Sequence, residues 1–221
     1  MDTEAKKAAL LDLAKRRQST RLDGYASIGD FHDGFYECDH VSPWTKSGCN
    51  VNADAMVVGQ DWSDDKVLAA DPPKQFVAEN GFDPSFPTNR NLDKLLLKHF
   101  SLTREECYLT NLFVFIKSGN ASNALSLPDM EWSAREFTLP EIRVVSPRIV
   151  LALGLRTYLA LMRATDRKGS PKISEAIDNP FDHDGTRIQC VAHTGGRGMS
   201  NRGRAQVEKD WEQIAQSIEI R

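Results

Sequence analysis

The order of apolar runs predicts an α/β fold: a three-layer α/β/α sandwich around a central four-stranded parallel sheet. Four short runs with β-branched content read as buried strands, at residues 55–58, 108–115, 148–153 and 187–192. Stretches with apolar residues three and four apart lie between and after them, at 89–100, 133–145, 155–164 and 204–218. This alternation suits parallel strands joined by crossover helices. The chain has 221 residues, 40% hydrophobic and 27% charged, which is enough apolar material for one core and enough charge for solubility.

Taken in order, residues 3–18 form the first helix. Thr3 can cap it, and Leu10, Leu13, Ala14 and Arg17 recur at helical steps. Residues 23–52 are rich in Gly, Asp, His, Ser and Pro and read as an ordered loop region. Residues 1–52 are therefore expected to pack as an N-terminal extension on a single domain spanning residues 1–221. Helix 89–100 presents Leu92, Leu95, Leu96 and Phe100 to the sheet, and helix 133–145 presents Phe137, Leu139, Ile142 and Val145. Helix 155–164 carries Leu155, Leu159, Leu161 and Met162, and the C-terminal helix carries Val207, Trp211, Ile214 and Ile218.

No run approaches the roughly 18 apolar residues of a membrane span, and the first 22 residues lack a secretory apolar stretch. The four cysteines, at 38, 49, 107 and 190, form no Cys-x-x-Cys pair and no disulfide framework, which suits a reducing compartment. A cytoplasmic protein without membrane contact is expected. The net charge of −3 gives no global positive field, so a polyanion would have to bind a local patch.

Ligands of open α/β sheets collect outside the carboxyl ends of the strands. The first strand runs into Gly59-Gln60-Asp61-Trp62, the second contains Thr110-Asn111, and the third stops at Gly154. The fourth delivers His193-Thr194-Gly195-Gly196-Arg197-Gly198. An acid, an amide, a histidine and a Gly/Arg loop would meet at one edge. Singly each has an ordinary explanation: a cap for Asp61, a loop cross-link for Asn111, a satisfied core histidine for His193, tight turns for the glycines.

Together these residues resemble the uracil-DNA glycosylase superfamily. Gly59-Gln60-Asp61 is similar to the start of that family's Gly-Gln-Asp-Pro-Tyr-His motif, and Pro87-Thr88-Asn89-Arg90-Asn91-Leu92-Asp93-Lys94 to its Pro-Ser-Leu-x-Asn-Ile-x-Lys segment. Thr110-Asn111 resembles its Thr-Asn, His193-Thr194-Gly195 stands where it has His-Pro-Ser, and Arg202-Gly203 is similar to an Arg-Gly that follows. The likeness runs from about Ala53 to Arg204.

The resemblance implies hydrolysis of the N-glycosidic bond of deoxyuridine in DNA, leaving an abasic site. Positive charge then develops on the sugar and negative charge on the uracil ring, and both need stabilisation. Asp61 would face the sugar and orient the attacking water, and His193 would donate to uracil O2. Asn111 would pair with uracil N3–H and O4, a pattern that cytosine reverses. Gly59, Gln60, Trp62 and Asn91 would line the base site, with Phe82 or Phe86 stacked on the base. Gly195, Gly196, Arg197 and Arg202 would contact DNA, Arg197 standing where the family often has a Leu wedge. Base extrusion costs a few kcal/mol, so something must hold the strand.

Three departures stand out. Trp62-Ser63-Asp64 replaces Pro-Tyr-His, removing the tyrosine that crowds out thymine's methyl group. Asp64, Asp65 and Asp71 add carboxylates near the site, and Thr194 replaces a proline. Cys38 and Cys49 lack the spacing of the relatives that hold a four-iron cluster, and His32, Cys38, His40 and Cys49 are irregularly spaced for zinc. No metal and no cofactor are expected, and a monomer is expected because the site needs no second copy. The other readings are a non-catalytic binder of damaged or abasic DNA, a glycosylase for another deaminated base, and a hydrolase of free nucleosides.

Overall fold

The computed structural model describes residues 1–119 and 124–220. The sheet has five strands rather than four, in the order β2-β1-β3-β5-β4. The strands are β1 (Ala55–Asp61), β2 (Tyr108–Phe113), β3 (Ile149–Leu153), β4 (Phe181–His183) and β5 (Thr186–Val191). Strands β2, β1, β3 and β5 run parallel, and β4 is an antiparallel edge folded back on β5. Only Phe181 of β4 is buried, so no apolar run announces it.

The parallel strands bury both faces, and their side chains alternate between two cores. Met56 and Val58, Tyr108 and Leu112, Val150 and Ala152, and Ile188 and Cys190 point into one. Ala55 and Val57, Leu109, Ile149 and Leu151, and Val191 point into the other. Helix α1 (Thr3–Ser19) packs against the helix at 139–145 on the first side, adding Leu10 to that core, and its N-cap is Asp2, not Thr3 as expected, because the Asp2 carboxylate takes the Ala5 N–H at 2.8 Å. Two short helices, α2 (Asp65–Leu68) and α3 (Gln75–Asn80), follow β1 in a stretch too rich in charge and proline to predict.

Helix α4 (Pro87–Leu95) lays Leu92 and Leu95 on the second face and ends in a π turn, Leu96–Phe100. Helices α5 (Leu127–Ser133) and α6 (Leu139–Val145) flank a π turn, Ala134–Thr138, beside Pro140, which supplies no N–H to the helical ladder. The expected helix 133–145 thus begins six residues earlier, where Ser126 caps it. Helix α7 (Leu155–Ala164) has the expected bounds, and α8 (Ile173–Asp178) leads into β4. Residues 196–202, expected as loop, form helix α9 (Gly196–Arg202), and α10 (Arg204–Gln216) closes the second face with Val207, Trp211 and Ile214. Among the described residues no helix is long and apolar enough to cross a membrane.

Glu141 on α6 is fully buried behind β2, accepting from the Tyr108 hydroxyl at 2.8 Å and the Thr110 hydroxyl at 3.0 Å. Burial pushes its pKa from 4.5 up to about 8, against the pull of the two hydroxyls. The folded chain thus holds this proton more tightly than the unfolded chain does. The linked stability is complete below pH 4.5 and is lost as pH rises through about 8. Glu141→Gln is expected to raise Tm at pH 9 by roughly 2–4 °C or more, the shift that about 1 kcal/mol produces in a chain of this size, and to do less at pH 5. Thermal melts at the two pH values check this.

Candidate active site

A cavity of about 320 Å³ opens at the carboxyl edge of the sheet, lined among others by Gly59, Asp61, Asn111 and His193. Asp61 is the last residue of β1, and Asn111 sits one strand over, directly opposite Gly59 in the parallel register. His193 lies two residues past β5. Gly59 is required for this approach: a Cβ there would lie 2.6 Å from Asn111 Nδ2 and 3.1 Å from the Trp44 ring.

Both oxygens of Asp61 have partners. The Lys117 ammonium lies 2.6 Å from Oδ2, and the Gln60 amide donates to Oδ1 at 2.9 Å. Only 5% of the Lys117 side chain and 13% of the Asp61 side chain are exposed, so the pair is held in the cavity wall. Removing one partner of a pair this enclosed strands the other charge.

His193 accepts a hydrogen bond at Nδ1 from the Gly195 N–H at 2.9 Å. Burial lowers its pKa from 6.5, and the Asp61 carboxylate offsets part of that shift. The ring is therefore neutral at pH 7, and with Nδ1 accepting, its proton sits on Nε2 as a donor. Two glycines hold this geometry. A Cβ on Gly195 would meet His193 Nδ1 at 2.9 Å, and one on Gly198 would stand 2.1 Å from the His193 carbonyl oxygen.

Trp62 donates its indole N–H to the Gly81 carbonyl at 2.7 Å and packs edge-on against Tyr36. Ser63 beside it lines the cavity. Phe82 and Phe86 both line it. Phe82 lies under the Arg104 guanidinium at 4.0 Å and against Phe76, whereas Phe86 is 45% exposed. Phe82 is thus the more firmly held ring.

Two expected contacts are placed otherwise. Asn91 does not line the cavity; its amide donates to the Thr194 carbonyl at 2.7 Å, and the Thr194 hydroxyl donates to Thr88 O at 3.0 Å. Asn91 ties the loop after β5 to α4 and so acts on the site through His193. Arg202, expected on DNA, is committed to the buried Asp210 through bonds of 2.7 and 2.9 Å. Gly196 and Arg197 are exposed at the start of α9, while Gly195 serves His193 first. The carboxylates expected to repel phosphate are partly engaged. Asp64 caps α2, and Asp65 accepts from Ser118 and Gly119, but Asp71 is exposed.

Lys117, Trp44 and Asn89 line the cavity, and Ser42 bonds Asn111 behind it, none of them anticipated from the sequence. Lys117 had one visible signal, a charged residue directly after the apolar run of the second strand. Ser42 and Trp44 lie in the aperiodic segment before β1, where no pattern marks them. Asn89 accepts from the Trp44 indole at 3.2 Å and donates to Asp83 O at 2.8 Å, fixing a wall of the cavity.

No protein-family model matches the chain, and no curated protein matches it significantly. What the site can do therefore rests on its chemistry: a fixed carboxylate, a neutral imidazole donor and a buried amide facing one cavity. Among the described residues no group of three or more His, Cys, Asp or Glu side chains is placed to hold a metal ion.

Proposed function

We propose that the chain is a DNA glycosylase of the uracil-DNA glycosylase superfamily, hydrolysing the N-glycosidic bond of uracil to leave an abasic site. The observation that carries this reading is the meeting of Asp61, Asn111 and His193 in one cavity, with the imidazole proton held on Nε2. These groups match the charges of a dissociating glycosidic bond. Asp61 offers negative charge to the sugar cation and a base for water, and His193 offers a neutral donor to the departing ring. Asn111 supplies the two-point recognition that separates uracil from cytosine. Phe82 is the more firmly held candidate for stacking, and Arg197, exposed at the start of α9, is a cation that can meet a phosphate.

Lys117 acts as a positioning residue in this scheme, holding Asp61 at a fixed distance and angle. Lys117→Met is expected to lower kcat about tenfold or more with little change in KM, because transition-state alignment is lost rather than ground-state binding. Steady-state kinetics separates the two parameters. A rise in KM alone would assign Lys117 to substrate binding instead.

The commitment of Arg202 to Asp210, and the exposed Asp71, favour a second reading in which the substrate is a free nucleoside. Chromatographic detection of free uracil, released from an oligonucleotide and from deoxyuridine in parallel, separates the two. Release from the oligonucleotide alone is expected; release from deoxyuridine alone would establish the second reading.

A further inference from the structure

Ser42 stands outside the chemistry above, in the irregular segment before β1, yet its hydroxyl lies 2.7 Å from Asn111 Oδ1. The two side chains are 1% and 4% exposed. An amide oxygen can only accept, so the Ser42 hydroxyl donates its proton to Asn111, while the Trp44 backbone N–H donates to Ser42 Oγ at 3.2 Å and holds the hydroxyl oxygen in place. The amide is thereby oriented, with Oδ1 toward Ser42 and Nδ2 beside the bare Cα of Gly59.

We propose that Ser42 sets base selectivity by locking Asn111 in the amide orientation that reads uracil. This rests on the glycosylase reading and names a residue that determines its specificity. In the locked orientation Nδ2 donates to O4, and the second lone pair of Oδ1 accepts from N3–H. Rotated by 180°, the same amide would donate to the bare N3 of cytosine and accept from its exocyclic amine. That rotation is opposed because it turns Nδ2 toward Ser42 and leaves the hydroxyl proton buried without an acceptor. The penalty for such an unpaired group corresponds to roughly tenfold or more between the two orientations. Gly59 serves the lock from the other side, since any side chain there would displace Nδ2.

Ser42→Ala removes the proton that distinguishes the orientations, whereas Ser42→Thr keeps a hydroxyl at the same place. The test compares kcat/KM for oligonucleotides carrying one uracil or one cytosine, in the wild type and both variants. Ser42→Ala is expected to lower the uracil-to-cytosine ratio about tenfold, and Ser42→Thr to restore it. A fall in both activities with the ratio unchanged would overturn the proposal, since a merely structural role lowers both alike. A second measurement does not depend on activity. In NMR spectra of the wild type, the Asn111 side-chain NH₂ protons should show nuclear Overhauser contacts to the Gly59 Hα protons, and these should weaken in Ser42→Ala. Absent contacts in the wild type would overturn the lock itself. Contacts present in a chain that releases no base would overturn the glycosylase reading, and with it the selectivity role.

Discussion

Asp61→Asn is expected to slow single-turnover base release by about 10³-fold while leaving the affinity for uracil-containing DNA nearly unchanged. The substitution keeps shape and removes charge. Asparagine retains one oxygen to accept from Lys117 or Gln60, the two groups bonded to Asp61 at 2.6 and 2.9 Å, but leaves the Lys117 ammonium without its counter-charge, so a lower Tm is expected beside the lost rate. On the glycosylase reading, what disappears is the negative charge proposed to face the sugar and the basic oxygen proposed to orient water. A loss confined to the rate of bond cleavage is what transition-state stabilisation predicts. Rates at saturating enzyme, beside equilibrium binding to the same oligonucleotide, separate the two effects. Activity surviving in the variant would move the catalyst away from Asp61.

His193→Gln is expected to cost roughly 10²–10³ in kcat, the usual effect of removing one donor to a developing anion. The imidazole is oriented by the Gly195 N–H and by the glycines that let the backbone close around it. Glutamine can donate but lacks the fixed ring geometry. The pH profile gives a second reading of the same group. Burial lowers the His193 pKa below 6.5, so the neutral ring persists as pH falls past that value. Protonation then places a hydrogen on Nδ1, against the Gly195 N–H, and breaks the bond that aims the ring. The wild-type rate should hold from pH 8 to 6.5 and decline only below it, and this limb should be missing in the variant. Stability follows the same sign, because the folded chain binds fewer protons here than the unfolded one and loses stability as pH falls through the lowered pKa.

Much of the fold was legible because it depends on patterns the chain repeats. The runs at 55–58, 108–115, 148–153 and 187–192 are largely buried on both faces, and their short, mostly apolar and β-branched character distinguishes them from amphipathic helices. Strand β4 was hidden because an edge strand of three residues with one buried side chain has no pattern to show. Helix α9 was hidden because three glycines in 195–198 read as turn, while the structure uses two of them to clear His193.

The site divides along the same line. Asp61, Asn111 and His193 were legible because each sits on or just after a strand whose register brings it to one edge. Ser42 and Lys117 were not, because their parts depend on tertiary contact. Ser42 reaches Asn111 across 69 residues of chain, and Lys117 meets Asp61 across the β1–β2 edge. Asn91 and Arg202 match the family's motifs in sequence but are engaged by Thr194 and Asp210 in the structure, so a matched residue type did not fix a role.

The most direct test of a uracil-excising centre is alkali-induced scission of a labelled oligonucleotide carrying one uracil, run single-stranded and opposite G or A, with thymine in the same position as control. Wild-type protein is expected to cut at uracil and to spare thymine, with scission lost in Asp61→Asn. No scission, together with tight binding to the same DNA or to its abasic product, would contradict catalysis at this site and place the protein among binders of damaged DNA.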